Sequence, residues 1–291
     1  MRRTTRLKEL ILAPEILIMP GAHDALVAKI IEQVGFQAVT LGGYPATANL
    51  LGKPDVSILT MTEMVDHARR ICDAVDIPVF TDGDTGYGNV TNVYRTVREM
   101  ERAGAAGMFI EDQVFPKRCG HTEGKQVIPA EEMVAKIKAA LDARTDPDFI
   151  IAARTDALAV YGIQEAIHRG SLYRETGADM IFIEAPQTIE DMKKINREID
   201  APMLSNNIEG GKTPFLSAKQ LELIGYNVVA FPISSTYCIA KVVTDLMKEL
   251  KEKGTTESFL DRMVTFTRFN ELIGLRDIRK KEEMYLKGLF Q

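Results

Sequence analysis

The sequence has no tryptophan, only four histidines and only three cysteines. Cys72, Cys119 and Cys238 are an odd set without zinc-type pairing, which argues against a disulfide framework and against a thiolate metal site. The histidines lack metal-binding spacing too: His67 and His168 fall in helical patterns, and His23 stands at a helix entry. There is no basic block or stripe, since lysine and arginine are spread along a chain of net charge −5, so neither nucleic acid nor an anionic membrane surface is an expected partner. No apolar run approaches the ~18 residues of a membrane helix, and the opening MRRTTRLKELI is charged where a signal peptide needs its apolar core. A cytoplasmic protein is expected. Gly83, Gly86 and Gly88 do not fit the GxGxxG spacing, which argues against a nicotinamide cofactor.

What the chain does have is ample apolar side chain, 45% of 291 residues, arranged in short continuous runs. Ile16 to Met19, Ala38 to Leu41, Val79 to Thr81, Gly107 to Ile110, Phe149 to Ala153, Met180 to Ile183, Met203 to Ser205 and Val228 to Phe231 read as strands buried on both faces, as in a parallel sheet. Between them, apolar residues recur at helical spacing in Ala25 to Val34, Met64 to Val75, Val90 to Ala103, Ala130 to Arg144, Ile163 to Thr176 and Ile189 to Ile199. Gly35, Gly104, Gly177 and Gly225 follow helices where a left-handed cap is needed. Eight such units in roughly 250 residues predict an α/β fold of the closed (β/α)8 type, a TIM-type barrel. A long helical pattern to Lys253, a break at Gly254-Thr255-Thr256 and two further helical stretches exceed what the barrel needs. The expectation is one domain over 1–291 with a C-terminal helical extension that packs on a second copy in a homo-oligomer.

In this barrel chemistry sits where strands end, and those positions are polar. Strand 3 runs into TDGDTGYGN (81–89), strand 4 into Glu111-Asp112-Gln113, strand 5 into Arg154-Thr155-Asp156, strand 6 into Glu184, strand 7 into Ser205-Asn206-Asn207 and strand 2 into Gly42-Gly43-Tyr44. Asp82 and Asp84, two apart on an extended strand, share a side, and Glu111 opens the neighbouring loop. Three carboxylates brought together need a counter-cation, and hard oxygen donors without His or Cys favour Mg²⁺ or Mn²⁺. The plainer reading is that these acids cap helices or pair with Arg154. Cys119, in Lys117-Arg118-Cys119-Gly120-His121, lies in a long polar loop whose cations would stabilise a thiolate and suit proton transfer. Cys72 and Cys238, inside apolar helical patterns, read as core.

The segments KRCGH (117–121), TDGDTGYGN (81–89), IEDQ (110–113), ARTDALA (153–159), FIEA (182–185) and NNIEGGKTP (206–214) together resemble the isocitrate lyase and phosphoenolpyruvate mutase superfamily over essentially the whole chain. The resemblance implies a homotetramer with the terminal helix exchanged between subunits, and Mg²⁺ held by Asp82, Asp84 and Glu111, partly through water, with Asp84 the direct ligand. It further implies active-site acids at Asp55 and Glu184 and a carboxylate-binding Arg154. Gly42, Gly43, Lys117, Gly120, His121, Asn206 and Ser234 would contact substrate, and Cys119 would be the general acid of a C–C bond lyase. Lyases acting on methylisocitrate carry Tyr at the position of Thr40 and Ser at that of Gly42, which leaves the base open; Tyr44 is the candidate, as base or as hydrogen-bond donor.

The substrate class implied is a small 2-hydroxy dicarboxylic acid. Thr122-Glu123-Gly124-Lys125 replaces an Arg-Pro-Asn-Lys run that would meet a third carboxylate, and Glu123 would repel one. With Gly43-Tyr44, IEGGKTP and Phe269 to Ile273, this favours the alkylmalate-cleaving branch and 2,3-dimethylmalate, split to pyruvate and propionate. Oxaloacetate hydrolysis to oxalate and acetate is the competing reading, then 2-methylisocitrate cleavage. A non-catalytic metabolite-binding barrel is disfavoured by the presence of both the loop cysteine and the metal carboxylates.

Overall fold

The computed structural model describes residues 1–287 and divides into two compact units, Met1–Ser235 and Thr236–Gln291. The first contains eight parallel strands: β1 (Leu17–Pro20), β2 (Val39–Leu41), β3 (Val79–Asp82), β4 (Gly107–Glu111), β5 (Ile150–Thr155), β6 (Met180–Ile183), β7 (Leu204–Asn206) and β8 (Val228–Phe231). They pair in the orders β1-β8-β7 and β2-β3-β4-β5-β6. Parallel bridges Gly21–Thr40 and Ile181–Met203 join these two arcs into a ring. Each strand lies where its apolar run predicts, within one or two residues.

The ring has two cores because alternate residues face opposite ways. Leu17, Met19, Phe80, Phe109, Ile150, Ala152, Met180, Phe182, Leu204 and Val228 form one buried cluster with Leu7 and Ile11 of the N-terminal helix Arg3–Leu12, a filled barrel interior. Their neighbours Val79, Met108, Ile110, Ile151, Ile181, Ile183 and Val229 pack in a second cluster with the surrounding helices. That double burial makes the strand sequences continuous rather than alternating.

Helices Ala25–Val34 and Ile163–Thr176 match their expected bounds, and Met61–Ala74, Val90–Arg102, Ala130–Ala143 and Ile189–Glu198 differ only at their ends. Gly35, Gly104, Gly177 and Gly225 all have left-handed φ values, between 90° and 118°. The apolar periodicity passed over Arg3–Leu12, Gly43–Leu51, Ala157–Tyr161 and Ala218–Ile224. Among the described residues no helix is long and apolar enough to cross a membrane.

Helix Ser234–Lys253, a 3-10 turn Glu257–Arg262, and helices Phe266–Leu272 and Leu275–Leu286 follow β8. Cys72 is buried as expected, but Cys238 is exposed. Its apolar setting does not make it core, because helix Ser234–Lys253 buries none of its residues within this chain.

Candidate active site

The inward register of the strands delivers the site. Counting two residues on from an interior apolar residue leads, on five strands, to a polar group at the C-terminal mouth: Phe80 to Asp82, Phe109 to Glu111, Ala152 to Arg154, Phe182 to Glu184 and Leu204 to Asn206. Thr40 and Gly42 continue the inward positions of Ala38 in the same way. Asp112, one residue past Glu111, faces the helices instead. Its fully buried carboxylate accepts from Thr155 Oγ1 (2.6 Å), Tyr173 OH (2.8 Å), Arg169 Nη1 (3.0 Å) and the Asp156 amide (3.0 Å).

The acids at the mouth have a built-in counter-cation. Lys117 Nζ, almost wholly buried, lies 2.6 Å from Asp55 Oδ2 and 2.9 Å from Asp84 Oδ1. Although burial opposes its charge, Asp84, Glu111, Asp82 and Asp55 hold this ammonium well above the ordinary lysine range. Burial nonetheless pushes Asp84 up to about 6, against the pull of Lys117. Asp82 is taken up by the backbone: its oxygens accept from the Gly43 amide and the Asp84 amide, both at 2.8 Å. Glu111 is fully buried, with Arg154 Nε 3.3 Å from Oε2, yet neither of its oxygens accepts a hydrogen bond among the described residues. The Lys117 contact to Asp84 Oδ1 is also poorly directed for hydrogen bonding and leaves that oxygen without an aligned donor. Asp84 and Tyr87 hold left-handed φ angles of 52° and 57°, strained conformations of the kind that collect at functional sites.

Taken by themselves, Asp82, Asp84 and Glu111 do not close into a ligand set: among the described residues no three His, Cys, Asp or Glu groups are arranged to hold a metal ion. Asp82 is turned to amides and Glu111 toward Arg154, the pairing that the plainer reading foresaw. The three buried oxygens left over, one on Asp84 and two on Glu111, are hard donors with unmet demand, which suits a divalent cation completed by water or substrate oxygen.

Beside the acids lies a second cluster. Arg154 packs 5.1 Å from the Phe182 ring centroid, forms a fork with Asp156 (Nε–Oδ2 2.9 Å, Nη2–Oδ1 3.1 Å) and places Nη2 3.4 Å from Glu184 Oε1. Glu184 also meets His121 Nε2 at 3.4 Å and accepts from Asn206 Nδ2 at 3.4 Å. His121 Nδ1 accepts the Lys212 amide at 2.9 Å, and burial lowers the imidazole below its ordinary value. A neutral His121 therefore carries its proton on Nε2, toward Glu184. The 117–121 loop is seated on this cluster at Gly120, where a Cβ would collide with Glu184 Oε1 and Arg154 Nη2.

Cys119, beside Gly120, is half-buried. The lysine and arginine around it in sequence do not stabilise a thiolate: Lys117 turns to the acids, Arg118 donates to the Glu123 carbonyl (3.2 Å), and burial pushes the thiol up. It is held as a protonated thiol. Tyr44 is half-buried in the first turn of helix Gly43–Leu51, and Gly42 is that helix's N-cap residue with room for a Cβ. Ser234 Oγ pairs with Glu209 Oε1. The sequence reading missed Lys125, Asp112 and Glu209 as structural partners; Asp112 was discoverable as the outward neighbour of Glu111.

Residues 7–251 match the family model described as phosphoenolpyruvate phosphomutase. The chain belongs to this family. Two of its relatives are a 2,3-dimethylmalate lyase of Eubacterium barkeri, 50% identical over 99% of this chain and 100% of the relative, and the petal death protein of Dianthus caryophyllus, 44% identical over 97% and 89%. Solved structures of the family extend the likeness. A 2,3-dimethylmalate lyase described as a PEP mutase/isocitrate lyase superfamily member superposes with TM-score 0.93 at 31% identity, covering 99% of this chain and 98% of the other. An oxaloacetate acetylhydrolase in complex with 3,3-difluorooxalacetate gives 0.91 at 30%, over 97% of each chain. A phosphonopyruvate hydrolase in complex with oxalate and Mg²⁺ gives 0.89 at 29%, over 99% and 100%. Membership of this superfamily fixes the fold as a TIM-type barrel.

Proposed function

We propose that this chain is a divalent-metal-dependent lyase that cleaves the C2–C3 bond of a 2-alkylmalate, with 2,3-dimethylmalate as substrate and pyruvate and propionate as products. The observation that carries the reading is the loop bearing Cys119, seated through Gly120 against Arg154 and Glu184 at the mouth that also holds the unmet oxygens of Asp84 and Glu111; burial, which raises the thiol, agrees with it. Identity of 50% to a 2,3-dimethylmalate lyase supports the substrate.

Asp84, Asp82 and Glu111 would hold Mg²⁺, or Mn²⁺, and the bound cation would acidify the substrate's 2-hydroxyl and offset charge that develops in cleavage. Arg154, its Nε and Nη2 fixed by Asp156, offers its remaining N–H groups to a substrate carboxylate, and Asn206 and His121 supply further donors. Gly43 keeps the acid cluster open to substrate, because a side chain there would crowd Asp82, Lys117 and Asp55. The 2-hydroxyl proton passes to a base, for which Tyr44 is the candidate. The C2–C3 electron pair leaves with C3 as the enediolate of propionate, and Cys119 Sγ–H delivers the proton that C3 needs while the seated loop excludes water. Thiol proton donation needs a thiol that stays protonated at neutral pH, the state burial enforces here.

The enzyme would act in the cytoplasm as a homotetramer that exchanges its C-terminal helical extension between subunits. The exposed stripe Ile239, Val242, Val243, Met247 and Leu250 on helix Ser234–Lys253 supports such an interface. Oxaloacetate hydrolysis is the second reading, favoured by the fit to the acetylhydrolase. Release of pyruvate from 2,3-dimethylmalate, of oxalate from oxaloacetate and of pyruvate from 2-methylisocitrate, each assayed with Mg²⁺, separates the readings. The first substrate should have the highest kcat/KM; turnover of none of them contradicts a lyase.

A further inference from the structure

One buried cation belongs to neither the acid cluster nor the substrate cradle. Lys125 closes the loop that begins at Lys117, and its side chain is only 2% exposed. Its ammonium donates to the Gly120 carbonyl at 2.5 Å and to Asp156 Oδ1 at 2.7 Å. Asp156 Oδ1 is the oxygen that also accepts Arg154 Nη2, so a single carboxylate fixes the carboxylate-binding guanidinium and, through Lys125, the backbone next to Cys119. Arg154 and Lys125 hold Asp156 down at about 2 despite its burial, and Asp112 anchors its amide from below.

A lysine placed only for stability would need no contact with the loop. This one spans from a rigid strand end to the carbonyl of Gly120, the loop residue whose Cβ would collide with Glu184 and Arg154. We propose that Lys125 is a positioning residue that latches the 117–121 loop to Asp156, so that Cys119 and Arg154 are held in one fixed relation during turnover. The role assigned to Cys119 in that relation rests on the proposed lyase chemistry; the latch does not.

Loss of a charge-assisted hydrogen bond to the loop should shift the balance between seated and open loop about tenfold. Lys125→Met is compared with the wild-type enzyme, and Lys125→Gln, which keeps a donor without the charge, serves as second variant. Iodoacetamide labelling followed by peptide mass reads Cys119, with the buried Cys72 as the measure of general loosening, and amide hydrogen exchange reads 117–124. In Lys125→Met, Cys119 labelling and loop exchange should rise about tenfold with Cys72 unchanged, while kcat falls at least as much and KM changes less; Lys125→Gln should lie between. Unchanged labelling and exchange in both variants would overturn the latch whatever happens to turnover. A faster Cys119 with unchanged kcat would overturn its role in positioning. If no alkylmalate is turned over by the wild-type enzyme, the lyase reading fails and the labelling still decides the latch. If Cys72 also becomes reactive in both variants, Lys125 is a folding residue and the proposal is wrong.

Discussion

Lys117 Nζ stands 2.9 Å from Asp84 Oδ1, an ammonium set against a carboxylate that we propose as a metal ligand. The same ammonium holds Asp55 at 2.6 Å, so the protein itself supplies the counter-charge that its strand-end acids require. Burial raises Asp84, with smaller contributions from the neighbouring charges of Asp82 and Asp55, against the pull of Lys117.

The sign of the Asp84 shift sets a stability test. Its folded value of about 6 lies above the ordinary 3.8, so its contribution is fully present below 3.8 and is lost as pH rises through about 6. Without divalent metal, the Tm of the wild-type protein relative to Asp84→Asn should therefore fall between about pH 4 and 7. Adding Mg²⁺ should reverse the order at the higher pH. Thermal melts of both proteins at the two pH values check this, and a pH-independent difference would contradict it.

Cys119→Ser replaces the thiol by a much weaker acid of similar shape. Its kcat should drop by ~10²–10⁴-fold, the range for losing a general acid, while pyruvate and Mn²⁺ affinities stay within about twofold, the error of a single lost contact. Steady-state kinetics and equilibrium binding measure both; an unaffected kcat removes Cys119 from the chemistry.

Burial places the Cys119 thiol above its ordinary value of 9.0. An acid is active while protonated, so kcat/KM should not decline with an apparent pKa at or below that value through loss of this proton. A pH–rate profile on 2,3-dimethylmalate is the measurement, and an alkaline limb below pH 9.0 that Cys119→Ser abolishes would contradict the assigned environment.

Gly120→Ala is expected to act locally. The new methyl would meet Glu184 Oε1 and Arg154 Nη2, so the loop must lift from its seat; kcat should fall about 10²-fold, the cost of roughly 1 Å of misplacement. Tm should stay within about 2 °C, because an unseated surface loop leaves the core intact. Asp112→Asn should do the opposite, destabilising by on the order of 3 kcal/mol through the loss of a buried charge partner for Arg169. Paired melts and kinetics of the two variants separate positioning from stability.

The barrel was legible because both strand faces are buried, which leaves continuous apolar runs, and because Gly35, Gly104, Gly177 and Gly225 mark helix ends. Helix Gly43–Leu51 was not, since its Gly-Tyr-Pro start has no apolar period. Strand-end position identified the residues of the mouth. It did not reveal what each one touches. A cationic sequence around Cys119 suggested a thiolate, but Lys117 folds away to Asp55 and Asp84, and burial governs what remains. Lys125 lay in view as part of a substrate-selecting tetrad, yet its partner Asp156 is 31 positions away and is brought near by the parallel pairing of β4 with β5.

Mn²⁺ binding followed by electron paramagnetic resonance, on wild-type, Asp84→Asn and Glu111→Gln proteins, bears most directly on a cation held by these carboxylates. A single class of site in the wild-type chain, weakened at least about tenfold in each variant as expected for loss of one charged oxygen donor, is the predicted result. Undiminished binding in both variants, or full turnover of 2,3-dimethylmalate after exhaustive chelation, would contradict the account.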